Sequence, residues 1–524
     1  MEGKFAVEEE AMLLGELITK NAMMYPRKKA VVRGAIKYTF TEFNRRVNSL
    51  TNALFELGIN KGDRVAVLAD DCPQYVEIYG AGAKGGMVIV PLNVRLTKKD
   101  YVYIINNSGA NTLIAGENYW GIISSIRPEL DVVEHFIILG EGPPEGAKSY
   151  ESLVQAYPPN EPDTKLEEED LLAIMYTSGT TGLPKGVMYT QRHVIATSLA
   201  TVIGSRMGTE DIVLTLFPLS SSFGATIMTA GIYVGATHVI ARGGIPKGIL
   251  EVIEGERVSS LWLPPALLMA LLEYPEISRY NLRSLTGINY GGSAIPMEML
   301  KKAIKVFGNV FTQFYGSTEY APMTSLARED HVLEGPEERL KRLSSCGRAA
   351  VNTIVRVVDE DGNDVPPGEM GEIVARGDIM MKGYWRAPEV TAETIRGGYL
   401  YSGDLGLIDE EGYLYVAGRK TDMITVGEEK VYAKEVEEVL YAHQSIIEAA
   451  VIGVPDEQLG ESMKAVVVLR GGEQVAEQEI IEFCKQSLPD YATPRSVEFA
   501  ESLPRNPTGK VLKRVLKERY GGEG

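Results

Sequence analysis

The 524-residue chain is poor in the residues that build covalent frameworks and metal centres, with 3 Cys, 5 His and 3 Trp. Cys72, Cys346 and Cys484 are too few and too scattered for a disulfide scaffold or a zinc site, and they read as reduced thiols of a cytoplasmic protein. So few, dispersed histidines serve a metal-dependent hydrolase poorly. Basic residues are outnumbered, 53 Lys and Arg against 71 Asp and Glu, for a formal net charge of -18. That balance excludes nucleic acid as the expected partner, because binding a phosphate backbone requires a net basic face. No run approaches the roughly 20 apolar residues of a membrane span, so no integral membrane segment is expected. The opening "MEGKFAVEEEAM" is acidic where a secretory signal is basic. The Gly-x-Ser-x-Gly elbow of a serine hydrolase is missing, as is any repeat of fixed period.

What the chain does have is apolar residue in quantity, 44% of the total, enough to bury a sizeable core in more than one domain. The stretch "TFTEFNRRVNSLTNALFELGI" opens with a capping-box spacing, Thr39 or Thr41 ahead of Glu42 or Asn44, and continues at helical intervals. "DRVAVLA" and "GMVIVPLN" are short strands, and their alternation with helices predicts a parallel sheet covered by helices. Residues 139–170 are rich in Pro, Gly and acids and read as a surface excursion. From about residue 350 apolar and polar residues alternate around Asp-Gly and Glu-Gly turns, which predicts hairpins. Residues 434–524 read as a small α+β unit of helix, two strands, helix and a basic end.

The stretch "YTSGTTGLPKG", residues 176–186, concentrates hydroxyls and bare amides beside a single cation. Two readings compete. Small residues whose N–H groups converge, with a lysine, form a cradle for phosphate; Gly, Ser and Thr also make ordinary polar turns. The apolar run Leu171, Leu172, Ala173, Ile174 and Met175 just upstream favours the cradle, because a buried strand ending in a glycine-rich loop is where open α/β sheets place ligands. The loop is not a Walker A site, which needs Gly before the Lys and Ser or Thr after it; here Pro184 precedes Lys185 and Gly186 follows.

Along its whole length the stretch resembles the phosphate-binding signature of the adenylate-forming superfamily of acyl-CoA synthetases, luciferases and peptide-synthetase adenylation domains. Further stretches match that family in order: "YGSTE" at 315–319, "YSGD" at 401–404, "GRKTDMITVGEEKVYAKEVEE" at 418–438 and "PRNPTGKVLKR" at 504–514. The resemblance implies an α/β fold: a large N-terminal adenylation domain of several subdomains, residues 1–418, with parallel sheets and a small β-barrel-like part. A small α+β C-terminal lid domain, residues 419–524, would move over it. It implies ATP, Mg2+ and CoA as ligands, with acyl-AMP as the intermediate. Thr177, Ser178, Gly179, Thr180, Thr181, Gly182 and Lys185 would hold the β and γ phosphates. Glu319 would bind magnesium, Thr318 would touch the α-phosphate, and Tyr315 would stack on adenine, with Gly291 and Gly316 in the same nucleotide-binding set. Asp404 would accept the ribose hydroxyls, a task suited to a group that offers only acceptors, with Arg419 beside it. Lys510 would bridge the substrate carboxylate and the α-phosphate, and Gly427 would line the approach of CoA.

Two departures from the family pattern stand out. Where fatty-acyl members carry a His or aromatic gate this chain reads "FPLSSSFGAT", with Ser220, Ser221 and Ser222 at that place, and at the hinge Thr421 stands where Asp or Lys is usual. Peptide-synthetase domains hold the substrate ammonium with an Asp in the stretch that here reads "SSSFG", so an amino acid substrate is disfavoured. A carrier domain is not expected after Lys510. The resemblance therefore points to CoA ligation of a small-molecule carboxylic acid, a fatty acid first and an aryl acid as the rival. The alternative from another class is a non-catalytic binder of nucleotide or acyl groups, which would be expected to lack Lys510 or Glu319. The pattern is compatible with a homodimer.

Overall fold

The computed structural model describes residues 12–140, 142–177, 183–241, 245–427, 429–456, 458–471, 473–505 and 511–521. Two large sheets dominate. The seven-stranded sheet runs in the order Lys148–Ser149, His135–Leu139, Thr112–Gly116, Arg64–Leu68, Val88–Pro91, Leu171–Thr177, Lys185–Thr190. All its pairings are parallel except the last. Past the half-buried Arg64 its central strands Arg64–Leu68 and Val88–Pro91 are apolar and buried, as expected of a sheet covered on both faces. The covering helix Phe40–Glu56 starts at Thr39, whose side chain accepts from the Glu42 amide while Glu42 reaches back to the Thr39 amide. This resolves the capping-box alternatives in favour of Thr39 and Glu42.

The nine-stranded sheet has a parallel centre in which Phe311–Ser317, Gly287–Gly291, Ser260–Leu263 and Ile212–Thr215 lie side by side. It too ends in an antiparallel hairpin, Phe311–Ser317 with Tyr320–Leu326. A five-stranded antiparallel sheet built on Gly371–Arg376 and Tyr399–Ile408 is the expected barrel-like part. In the C-terminal sheet, strands Met423–Val426, Ile446–Asp456 and Gly460–Leu469 pack against helices Ala433–Tyr441 and Glu477–Lys485 around a core of their own. The strand Ser496–Phe499 and the helix Lys513–Tyr520 complete that unit and were not separable in the sequence, since both are short and flanked by polar residues.

One expectation is corrected. Residues 139–170 are only partly a surface excursion, because the helix Tyr150–Ala156 is anchored in the core. Tyr150 is fully buried and donates its hydroxyl to Glu77 at 2.8 Å, and Glu151 pairs with Arg46, which in turn pairs with Glu77. Glu161 likewise accepts from the buried Lys84 ammonium. A buried charge must be paired, and this segment supplies the partners.

Candidate functional site

Both large sheets turn from parallel to antiparallel at an edge, and the two hairpins meet. Tyr189, on the strand Lys185–Thr190, donates its hydroxyl to the Thr318 carbonyl at 2.6 Å. Residues 380–385 run between the hairpins and tie them together. The Met381 amide donates to the Glu319 carbonyl at 3.0 Å, the Lys382 amide to Met188 O at 3.0 Å, and the Trp385 amide to Gly186 O at 2.7 Å. The turn at 317–320 is therefore fixed by backbone hydrogen bonds from outside its own sheet.

The expected phosphate residues divide. Thr177 and Lys185 face each other at the base of the first hairpin, where their Cα atoms are in register. Ser178, Gly179, Thr180, Thr181 and Gly182, expected in the loop between them, lie outside the described residues, and so does Lys510. Downstream of the loop the chain forms a strand and not a helix, because Val187 and Tyr189 point into the core at strand spacing.

A first cluster surrounds Glu319. Its Oε1 accepts the Tyr384 hydroxyl at 2.8 Å, and the Lys185 ammonium lies 4.5 Å from the centroid of the same Tyr384 ring. Thr318 Oγ1 lies 3.2 Å from Ser222 Oγ. The serine run thereby acquires two separate tasks. Ser221 caps the helix Ser222–Val234, accepting from the Gly224 amide at 3.1 Å and donating to Pro218 O at 2.7 Å, while Ser222 faces the turn. The same loop is tethered from behind by Asp71, which accepts the Leu219 amide at 2.9 Å and whose carboxyl burial pushes up to about 6.

A second cluster lies on the other side of the turn. The Tyr315 hydroxyl donates to Asp404 Oδ2 at 2.6 Å, and Arg419 Nε lies 2.8 Å from Asp404 Oδ1. Asp404 and Arg419 are cross-strand partners, and Arg419 also donates to Ser402 O at 2.9 Å. Burial first, and then the neighbouring Asp404 carboxylate, raises the Tyr315 hydroxyl well above the usual range, so Tyr315 stays a donor.

The expected glycines are explained in part by packing. A Cβ on Gly291 would stand 2.4 Å from Phe314 O, and one on Gly316 2.5 Å from Tyr320 O. Gly427 sits in the turn between Met423–Val426 and Glu429–Tyr432 with φ of 65°, a left-handed conformation that suits glycine, and its amide donates to Leu459 O. It belongs to the C-terminal sheet and to neither cluster. Thr421 lies in the short 3-10 turn Lys420–Asp422, just past Arg419.

Sequence reasoning missed Tyr189, Tyr384 and His193. His193 stacks on Tyr189 with ring centroids 4.0 Å apart, and burial pushes its imidazole down to about 4, so it is neutral. The available signal was strand alternation, which puts Lys185 and Tyr189 on one face.

Among the described residues no three His, Cys, Asp or Glu side chains converge to hold a metal. Glu319, a carboxylate beside the Lys185 ammonium, suits Mg2+, which takes one or two carboxylates and fills its shell with phosphate oxygens and water. No described helix is long and apolar enough to cross a membrane.

Comparison with known proteins agrees with this geometry. Residues 18–385 match the AMP-binding enzyme family and residues 435–510 match the AMP-binding enzyme C-terminal domain. The chain is 33% identical over 510 residues to a feruloyl-CoA synthase of an Amycolatopsis species, covering 97% of this chain and 99% of that one. It is 35% identical over 518 residues to a long-chain-fatty-acid–CoA ligase of Mycobacterium tuberculosis, covering 97% and 98%. Among solved structures, an anthranilate CoA ligase in complex with anthranoyl-AMP superposes with a TM-score of 0.89 at 26% identity, covering 97% of each chain. The chain therefore belongs to the AMP-binding enzyme family, in the acyl-CoA synthetase branch of the adenylate-forming superfamily, whose ligases use ATP, Mg2+ and CoA.

Proposed function

We propose that this protein ligates a hydrophobic carboxylic acid to CoA in two steps on the face formed by the 315–320 turn. In the first, an oxygen of the acid attacks the α-phosphorus of ATP and the bond to the β-phosphate breaks, giving acyl-AMP and pyrophosphate. In the second, the CoA sulfur attacks the acyl carbon, the thiol proton passes to solvent and AMP leaves. The observation that carries the proposal is the pair of clusters on either side of one short turn, a cation and a carboxylate with no ion-pair partner among the described residues on one side and an acceptor held by Arg419 on the other. Two anions that must react are brought together there, and positioning with electrostatic compensation is the catalysis such a reaction needs.

In this reading Thr177, Ser178, Gly179, Thr180, Thr181, Gly182 and Lys185 take the β and γ phosphates. Glu319 anchors magnesium, which supplies charge neutralisation on the phosphates when bound. Thr318 meets the α-phosphate. Tyr315 offers its ring to adenine while its hydroxyl aims Asp404 at the ribose, and Gly291 and Gly316 let backbone approach the nucleotide. Lys510 acts in the first step. The domain boundary falls at 418/419, at the last residue of the strand Leu414–Arg419 that Arg419 pins to Asp404, and residues 419–524 rotate so that the turn at Gly427 meets CoA in the second step. Few buried cysteines and a formal charge of -18 suit a reducing, cytoplasmic setting for a protein that handles small molecules.

The acid is a fatty acid in the first reading. A specific observation favours an aryl acid as the second. Phe223 follows Ser222, which meets Thr318, and packs on Phe217 with ring centroids 4.7 Å apart; Trp262 and Phe314 stack at 5.0 Å in the same apolar cluster, and a Cβ on Gly291 would come within 3.2 Å of Phe223. An aromatic cluster behind the serine that meets Thr318 suits the face of a planar aryl acid better than a long alkyl chain. A panel of C2 to C18 and aryl acids, scored for CoA-dependent AMP release, decides between them. Activity with no acid in the panel would remove the ligase reading.

A further inference from the structure

Resting on the reading of Glu319 and Lys185 given above, we propose that Tyr384 is a positioning residue of the adenylation step, which keeps the magnesium-anchoring carboxylate and the phosphate-binding ammonium apart and aimed before ATP arrives. The argument begins with a problem of charge. A carboxylate and an ammonium lying against one side chain attract each other, and an ion pair between them would occupy the groups meant for magnesium and phosphate. Among the described residues Lys185 forms no ion pair with a carboxylate; its ammonium rests over the Tyr384 ring at 4.5 Å from the centroid. The electron-rich ring face holds a cation without supplying a lone-pair acceptor that phosphate would have to displace.

The opposite end of the same side chain holds Glu319. The Tyr384 hydroxyl donates to Oε1 at 2.8 Å, which leaves Oε2 and the remaining lone pair of Oε1 for a cation. A carboxylate oriented by an outer partner binds metal better than a free rotor.

The backbone of Tyr384 is fixed from both sides. Its amide donates to Thr391 Oγ1 at 2.9 Å, the next amide donates to Gly186 O at 2.7 Å, and the Trp385 indole N–H donates to Asn107 O at 3.0 Å. Gly383, with φ of 142°, stands where a Cβ would come within 2.8 Å of Thr391 Cγ2, and Arg386 takes a left-handed φ of 54°. Left-handed backbone on a non-glycine residue is retained where its surroundings over-determine it. Tyr384 is 4% exposed.

Two variants separate its two ends. Tyr384→Phe keeps the ring and removes the hydroxyl; Tyr384→Leu removes both. ATP binding is measured by calorimetry with and without Mg2+, beside the Mg2+ dependence of acid-dependent pyrophosphate exchange. For Tyr384→Phe, ATP affinity without Mg2+ stays at the wild-type value while the Mg2+ concentration for half-maximal exchange rises about tenfold, the fold-change of one hydrogen bond to a charged group. For Tyr384→Leu, ATP affinity without Mg2+ falls as well. An unchanged Mg2+ dependence in Tyr384→Phe overturns the inference, as does a Phe variant that loses Mg2+-free ATP binding as fully as the Leu variant. Glu319→Gln is run in parallel. If it leaves the Mg2+ dependence unchanged, the assignment of Glu319 has failed; if it shifts that dependence and Tyr384→Phe does not, only the role of Tyr384 has failed.

Discussion

Two carboxylates flank the 315–320 turn, and each accepts a hydrogen bond from a tyrosine, Tyr384 on Glu319 at 2.8 Å and Tyr315 on Asp404 at 2.6 Å. Their compensation differs. Asp404 is 9% exposed and carries Arg419 against its other oxygen at 2.8 Å, so its charge is neutralised and what it offers is acceptor geometry. Among the described residues no such cation pairs with Glu319, and the nearby Lys185 rests on the Tyr384 ring. A neutralised carboxylate suits neutral hydroxyl groups such as those of ribose, and an uncompensated one suits a divalent cation. On the reading proposed above, one donor type with two different neighbours would serve two different ligands, one on either side of the turn.

The largest effect expected from this contrast is at Glu319. Glu319→Gln keeps the shape and the Tyr384 contact but removes the charge, and acid-dependent pyrophosphate exchange falls by about 10³-fold, the scale of losing a principal electrostatic element. Exchange within a few fold of wild type would erase the distinction between the two carboxylates.

Outside both clusters, Gly427 tests whether the first step stands apart from the second. Its φ of 65° means that Gly427→Leu strains the turn as well as adding bulk, so Gly427→Asn, which tolerates that backbone, is the control. Leu is expected to lower thioester formation by about 10²-fold, the cost of displacing reacting groups by an ångström or so, with pyrophosphate exchange kept. Asn should retain most of both. Equal loss in both steps for Leu and Asn would show that the turn serves folding alone.

Asp404→Asn is a smaller change, since an amide still accepts one hydrogen bond while Arg419 loses its counter-charge. The KM for ATP should rise about tenfold, with the Mg2+ dependence unmoved. A shift in Mg2+ dependence instead would mean that Asp404 and Glu319 share one site.

The residues of these clusters were unequally legible. Thr177, Lys185, Tyr315, Thr318, Glu319, Asp404 and Arg419 each sit in a contiguous stretch whose composition is itself unusual, and the structure brings Tyr315, Asp404 and Arg419 together as a hydrogen-bonded set. Tyr384 and Ser222 were not legible as partners of the turn because nothing in their own neighbourhoods says what they meet. Tyr384 arrives on a segment that pairs with strands of two different sheets, and such pairing follows from tertiary register rather than from periodicity. The fold was legible where strands are apolar and helices capped. It was misread at 150–156, where a short helix in a Pro- and acid-rich stretch is held by the needs of buried Glu77 and Arg46 and not by its own propensity.

The smallest effect concerns the support behind the turn. His193 has a folded value of about 4 against 6.5, and His238 and His331 are lowered to the same value, all chiefly by burial. A lowered value means that stability is fully present above pH 6.5 and is lost as pH falls through 4. Asp71, raised to about 6, acts in the opposite sense, favouring the fold at acid pH and losing that contribution as pH rises through 6. His193→Gln should flatten the fall in melting temperature between pH 6.5 and 4 while leaving that attributable to the other two histidines. An unchanged slope would mean that His193 is not the neutral, buried group described.

The central claim is that the acid is activated through acyl-AMP before CoA attacks, and an isotope decides it. With a carboxylic acid labelled with oxygen-18 in its carboxylate, turnover in the presence of ATP, Mg2+ and CoA should release AMP carrying one labelled oxygen. That atom forms the bond to the α-phosphorus and stays with phosphorus when the sulfur takes the acyl carbon. AMP without label, or label appearing in inorganic phosphate together with ADP, would contradict it.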